Sequence, residues 1–313
     1  MGTGVITCIK GLFGKGVNMK ILVIGGTKFF GIPMINALIE QGHDITVATR
    51  GNTSGVFGDK VSYITVDRTN PENMKEVFSG KYYDVVIDKI AYSSNDLKYA
   101  LDVLECDKFI HMSTMAVYED KHPNMLESEF DPTVEPVIWC NRRDFPYGEI
   151  KRQAENALFQ AYPNCKAVAV RYPYVIGKDD YTNRLLFYVE HTIKEMPMHI
   201  DNLDCQMGFI DSTEAGEFMA HLVDTDFTGP INGCNTGTVS LKEVIEYVEE
   251  KCGVKAIITP EGDKAPYNGT PEYSINVDLA KELGYEFSNV RSWIWELVDY
   301  YIELVRKDEI IVE

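Results

Sequence analysis

The sequence predicts an α/β fold with a parallel sheet, and three observations carry that prediction. Residues 21–50, ILVIGGTKFFGIPMINALIEQGHDITVATR, read as apolar strand, glycine turn, helix and second strand. Strand and helix signals then keep alternating to about residue 177. Beyond it the pattern loosens into helical stretches separated by Gly-, Pro- and Asp-rich loops, which suits a smaller second lobe.

Residues 21–24 form the first strand, and residues 33–41 a helix that Gly42 stops. Gly25 permits the tight turn and Gly31 lets helix and strand pack closely. N–H groups without partners at the helix start, with the helix dipole, favour a pyrophosphate there. The candidate cradle is Gly25, Gly26, Thr27, Lys28, Phe29, Phe30 and Gly31. Its spacing is GxxxxxG: Lys28 or Phe29 stands where the usual fingerprint has a middle glycine. A glycine turn alone also serves any tight strand-to-helix connection.

The second strand, residues 44–49, ends at Arg50, where an acid would bind the ribose hydroxyls of NAD; an arginine suits a 2′-phosphate better. A solvated arginine at a strand end is the competing reading, so NAD and NADP both stand. Further strands are expected near 61–66, 84–88, 109–112 and 167–171, and helices over 182–194, 212–223, 240–252 and 290–305. The whole describes a Rossmann-type doubly wound parallel sheet. Residues 19–177 would form the dinucleotide-binding domain, and 178–313 mainly a substrate-binding lobe with segments returning to the first. Residues 1–18, with five glycines, read as a flexible leader or upstream extension ahead of Met19.

The chain has 313 residues, 45% hydrophobic and 25% charged, enough for a substantial core. A net charge of −18 opposes a role in gripping nucleic acid or an anionic membrane, which both need basic surface. Seven scattered cysteines without a CxxC pair predict reduced thiols, and no His, Cys or carboxylate spacing suggests a metal. No apolar window reaches the ~18 residues of a spanning helix, so a cytoplasmic protein is expected. The aromatics Trp293, Trp295, Tyr300 and Tyr301 lie on an amphipathic C-terminal segment and predict packing, and His111 receives no role.

Four YxxxK matches begin at Tyr147, Tyr162, Tyr174 and Tyr247, so context must choose among them. Tyr162 runs into Pro163, Tyr174 into Gly177, and Tyr247 lies on an expected surface helix. Only Tyr147 opens a helix, residues 146–162, which places Tyr147 and Lys151 one turn apart on one face. An ammonium within a few ångströms of a phenol lowers its pKa from about 10 and makes it a usable base. Ser113 and Thr114 follow the apolar run at 109–112 and place a hydroxyl at the sheet's carboxyl edge.

GGTKFFG, the strand-end Ser-Thr followed by VY, YGEIK with Glu155 behind it, RYPYVIG at 171–177 and FID at 209–211 together resemble the extended short-chain dehydrogenase/reductase superfamily, the NAD-dependent epimerase/dehydratase type. The resemblance covers nearly the whole chain. It implies an enzyme with Tyr147 as acid/base, Lys151 as partner of the tyrosine and of the nicotinamide ribose, and Thr114 as donor to the substrate oxygen. Ser113 would take that place if the register slips by one. Asp67 would read the adenine amine, or be an ordinary turn aspartate. Arg184 would grip the substrate's phosphates, or be a surface arginine. Pairing through two helices of each subunit would make a homodimer.

Nucleotide-sugar dehydratases of this type carry an acidic pair after the Ser-Thr; here Met115 and Ala116 cannot move protons, which excludes that chemistry. The favoured expectation is a nucleotide-sugar 4-epimerase or closely related oxidoreductase using NAD or NADP. An NADP-linked carbonyl reductase, supported by Arg50, is the alternative. A non-catalytic RNA-binding relative resembling chloroplast stem-loop binding proteins is a third reading, opposed by the charge and by the Tyr147/Lys151 pair.

Overall fold

The computed structural model describes residues 18–52 and 55–307. The proposed leader lies outside the described residues except for Asn18, as does Cys8. In chain order the elements are β1 (Lys20–Ile24), α1 (Gly31–Gln41), β2 (Asp44–Thr49), β3 (Ser62–Thr65), α2 (Pro71–Phe78), β4 (Tyr82–Asp88), α3 (Ser94–Leu101), β5 (Glu105–Thr114), α4 (Tyr147–Ala161) and β6 (Lys166–Tyr172). They continue with β7 (Tyr174–Ile176), α5 (Arg184–Ile193), β8 (Met198–His199), β9 (Phe209–Asp211), α6 (Ser212–His221), β10 (Gly229–Asn232), α7 (Leu241–Cys252), β11 (Asp263–Lys264), α8 (Asp278–Glu282) and α9 (Ile294–Arg306).

Seven parallel strands form the central sheet in the order β10-β6-β5-β4-β1-β2-β3. The apolar strand runs require this, because a parallel sheet covered on both faces buries both sides of every strand; Ile21 to Ile24 are at most 1% exposed. The order reverses direction between β1 and β4, where Ile24 stands opposite Asp88. That switch point opens a crevice at the carboxyl ends of the strands. β5 is longer than expected: it runs through Ser113 and Thr114, which are its last two residues.

One face of the sheet is covered by α1 and α6, the other by α2, α3 and α4. Gly216 sets the spacing of α6 on α1, because a Cβ there would lie 2.5 Å from the Phe30 carbonyl oxygen. A third apolar cluster fills the C-terminal lobe, where α5 packs on α7 and α9. Tyr301 is buried in it and Trp293 and Trp295 pack against it. The lobe is not separate in sequence, since α6 and β10 both belong to the layers of the sheet domain. No helix among the described residues is long and apolar enough to cross a membrane.

Candidate active site

The glycine turn leaves β1 with Gly25 at φ +90° and Gly26 at φ +101°, conformations that exclude most side chains. Gly31 serves a different end: a Cβ there would meet the Gly26 Cα at 2.4 Å, so this position needs close backbone approach. Where the middle glycine is missing, Phe29 takes φ +55° and buries its ring with that of Phe30. The N–H groups of Gly31 and Ile32 turn back onto the Lys28 and Phe29 carbonyls, at 3.2 and 2.9 Å. Those of Phe29 and Phe30 have no acceptor among the described residues. α1 carries no acidic residue in its first turn. The cradle therefore fits a pyrophosphate.

At the far end of the crevice, Arg50 closes β2 and is exposed. Asp67 follows β3, and its carboxylate accepts from the Thr69 N–H at 3.0 Å and the Thr69 hydroxyl at 2.7 Å. Those bonds, aided by the charges of Arg50 and Arg142, hold it below the usual carboxylate range.

Tyr147 begins α4, and its helix axis brings it to the end of β5. Gly148 permits this approach, since a Cβ there would lie 2.5 Å from the Ala116 carbonyl oxygen. The Tyr147 residue is 47% exposed, so its ring opens to the crevice. Burial of the hydroxyl pushes its pKa up to about 12, while the nearby Thr114 hydroxyl and the charge of Arg184 act in the opposite direction. Tyr92 lies edge-on to Tyr147, with ring centroids 6.0 Å apart.

Lys151 departs from the expected pairing. Its ammonium is fully buried and donates to the carbonyls of Ala91 at 2.8 Å and Met112 at 2.7 Å. Desolvation lowers its pKa to about 7, opposed by the charges of Asp88, Glu155 and Asp96. It also lies 5.3 Å from the centroid of the Tyr92 ring. Ser113 departs as well: successive strand residues face opposite sides, so it turns inward and donates to Glu155, while Thr114 faces the crevice. The remaining YxxxK tyrosines bond elsewhere, Tyr162 to Asp102, Tyr174 with Thr270 and Tyr247 to Asp299.

Arg184 opens α5 and lies 5.0 Å from the Tyr174 ring centroid and 6.0 Å from that of Tyr267, its Nε donating to Thr182 at 2.9 Å. Its charge favours the ionised form of the Tyr147 phenol. The glycine turn thus meets Ile90, two residues before the Tyr92 that packs on Tyr147, and its Phe29 ring meets Tyr181, three residues before Arg184.

The profile of the NAD dependent epimerase/dehydratase family matches residues 21–233, more than half of the chain. The chain belongs to that family. It is an enzyme, and its cofactor is NAD or NADP. UDP-glucose 4-epimerase 3 of Oryza sativa subsp. japonica is 23% identical, over 87% of this chain and 86% of that protein. The chloroplast stem-loop binding protein of 41 kDa b of Arabidopsis thaliana is 28% identical over 36% of this chain, which covers only 34% of that protein's length. Among solved structures, the UDP-glucose 4-epimerase of Thermotoga maritima, determined with UDP-glucose, superposes with a TM-score of 0.71 at 17% identity, covering 92% of this chain and 99% of that one. This likeness shows the fold.

For a member of the family, several residues of the crevice went unsignalled by motif. Asp88 ends the apolar β4 and Lys89 follows it; Arg68, itself buried, pairs with Asp88 and lies 3.0 Å from Asp96. Arg142, from the long connection before α4, bonds Asp96 at 2.9 Å and lies 4.7 Å from the Tyr92 ring centroid. Two adjacent charged residues at the end of an apolar strand were the available signal. No group of three or more His, Cys, Asp or Glu side chains among the described residues could hold a metal ion, and the six described cysteines are free thiols.

Proposed function

We propose that this enzyme is a nucleotide-sugar epimerase of the 4-epimerase kind, working through reversible oxidation of a sugar hydroxyl. The observation that carries the reading is the placement of Tyr147: α4 starts there with Gly148 packed on the Ala116 carbonyl, just past Thr114 at the end of β5, so phenol and hydroxyl belong to the same strand end. Gly25, Gly26, Thr27, Lys28, Phe29, Phe30 and Gly31 would hold the dinucleotide's phosphates, with Asp67 and Arg50 at its adenosine end. Such a dinucleotide, when bound, accepts a hydride from a carbinol carbon and returns it.

The chain's own residues would handle the proton and the orientation. Thr114 orients the sugar oxygen against Tyr147, and Tyr147 takes the hydroxyl proton and later gives it back. Arg184 favours the phenolate and grips the diphosphate of the nucleotide. Lys151 fixes the Ala91 and Met112 carbonyls and so keeps α4, β5 and the β4 end in register. Met115 and Ala116 supply no second acid or base, which agrees with return of the hydride in place of elimination.

Arg50 favours a second reading, an NADP-linked carbonyl reductase. Denaturing freshly purified protein and identifying the released nucleotide separates the two: retained NAD supports the epimerase, whereas empty protein that oxidises added NADPH with a ketone supports the reductase. Pairing of subunits through α4 belongs to the same proposal and is checked by sedimentation. The RNA-binding reading has the shorter matched segment and the charge of −18 against it.

A further inference from the structure

We propose that Lys89 is a phosphate-binding residue of the dinucleotide site, reaching from the end of β4 to the part of the turn that lacks its middle glycine. This rests on the dinucleotide reading of the turn. Lys89 is the first residue past β4, and its N–H donates to the Ile24 carbonyl at 3.2 Å. That places it on the β1 side of the switch point, beside the strand that feeds the glycine turn. Its neighbour Ile90 lies against the turn so closely that a Cβ on Gly25 would come within 2.9 Å of Ile90 Cγ2.

Lys89 is 9% exposed. Its ammonium lies 3.9 Å from the Phe30 ring centroid and donates, at a long 3.4 Å, to the Lys28 carbonyl. That oxygen is the one hydrogen-bond acceptor it reaches among the described residues, and it already accepts from the Gly31 N–H. Asp179 contributes charge, while its own carboxylate accepts from the Ser212 hydroxyl at 3.2 Å. Desolvation outweighs Asp179 and lowers the amine to about 8.

A buried ammonium with one shared, long hydrogen bond is costly to the fold and gains little from its protein partners. An anion between the Phe29 and Phe30 N–H groups and Lys89 supplies what is missing: a counter-charge for the ammonium and an acceptor for both amides. The same cation offsets the Lys28 carbonyl, whose negative end would otherwise repel a phosphate. The turn therefore exchanges a backbone approach, lost with the middle glycine, for a side-chain charge from the neighbouring strand.

The test measures equilibrium binding of NADH by fluorescence and of ADP by calorimetry, after counting any nucleotide carried through purification. Lys89→Met should weaken both about 10- to 100-fold, the range of one charge-assisted hydrogen bond. Lys89→Arg should stay within about threefold of wild type, because it keeps the charge. Wild-type affinity should fall more steeply with added salt than that of Lys89→Met. Should Lys89→Met fold poorly, Lys89→Gln serves the same comparison. Wild-type affinity and salt dependence in the folded variant would overturn the role of Lys89 alone. A wild-type protein that binds neither ligand and carries no nucleotide would overturn the dinucleotide reading, and Lys89 with it.

Discussion

Lys151 lies one helical turn after Tyr147 on α4, yet its ammonium bonds the Ala91 and Met112 carbonyls, and the groups that act on the phenol are Thr114, Tyr92 and Arg184. Spacing put the two residues on one face, but two buried carbonyls held the stronger claim on the ammonium. A buried lysine with a pKa near 7 has a measurable signature. The folded protein sheds this proton near pH 7 and the unfolded chain near 10.5, so between those values the unfolded chain binds more protons and stability rises with pH. The slope is at most about 1.4 kcal/mol per pH unit. Urea unfolding at pH 7, 8 and 9 should show wild type gaining on Lys151→Met by that increment. A constant difference would mean that Lys151 keeps an ordinary pKa.

Tyr147→Phe should lower turnover by about 10²- to 10⁴-fold, the usual contribution of a positioned acid/base. Dinucleotide affinity should change little, because the ring and its contact with Tyr92 remain. Parallel activity assays and binding titrations check this. Normal turnover would send the acid/base role elsewhere.

Gly31→Ala adds a methyl group 2.4 Å from the Gly26 Cα, and neither backbone can retreat without opening the turn. A destabilisation of about 1–3 kcal/mol is expected, together with loss of dinucleotide affinity. Thermal unfolding with and without NAD reads both. An unchanged shift with NAD would place the dinucleotide away from this turn.

Glu155 and Arg171 form an ion pair at 2.6 Å, both fully buried, and Glu155 also accepts from Ser113. Arg171 reaches the carbonyls of Glu127 and Phe130 as well, at 2.8 and 2.9 Å, so the pair joins α4, β5, β6 and the loop between them. Glu155→Gln leaves a guanidinium without its counter-ion and should cost about 3–5 kcal/mol in urea unfolding. A loss under about 1 kcal/mol would show that the neighbouring carbonyls suffice.

Arg50→Asp should shift binding preference from NADP toward NAD if Arg50 reaches the adenosine ribose. Dissociation constants for both dinucleotides decide it. The same ratio in variant and wild type would remove Arg50 from the site.

The sheet was readable because its strands are nearly continuous apolar runs, and the turn because three glycines mark three separate backbone demands. That Tyr147 alone among the four YxxxK tyrosines opens a helix was also legible in the local sequence. Orientation was not readable. Ser113 and Thr114 differ by one position, and the hydroxyl that turns inward is decided by Glu155, 42 residues away. The bonds of Lys151 were hidden for the same reason: its carbonyl partners lie just past β4 and on β5. Lys89 carries no motif, and its position becomes informative only when β4 is found beside β1.

The most direct test of the proposed reaction follows the hydrogen at the epimerised carbon. UDP-sugars carrying deuterium at C4 are incubated with the purified enzyme and NAD, and products are analysed by NMR and mass spectrometry. Removal and return of a hydride within one site predicts interconversion of the C4 epimers with deuterium kept at C4 and no net consumption of NAD. Deuterium lost to solvent, or no interconversion alongside steady oxidation of NADPH with carbonyl compounds, would contradict the epimerase.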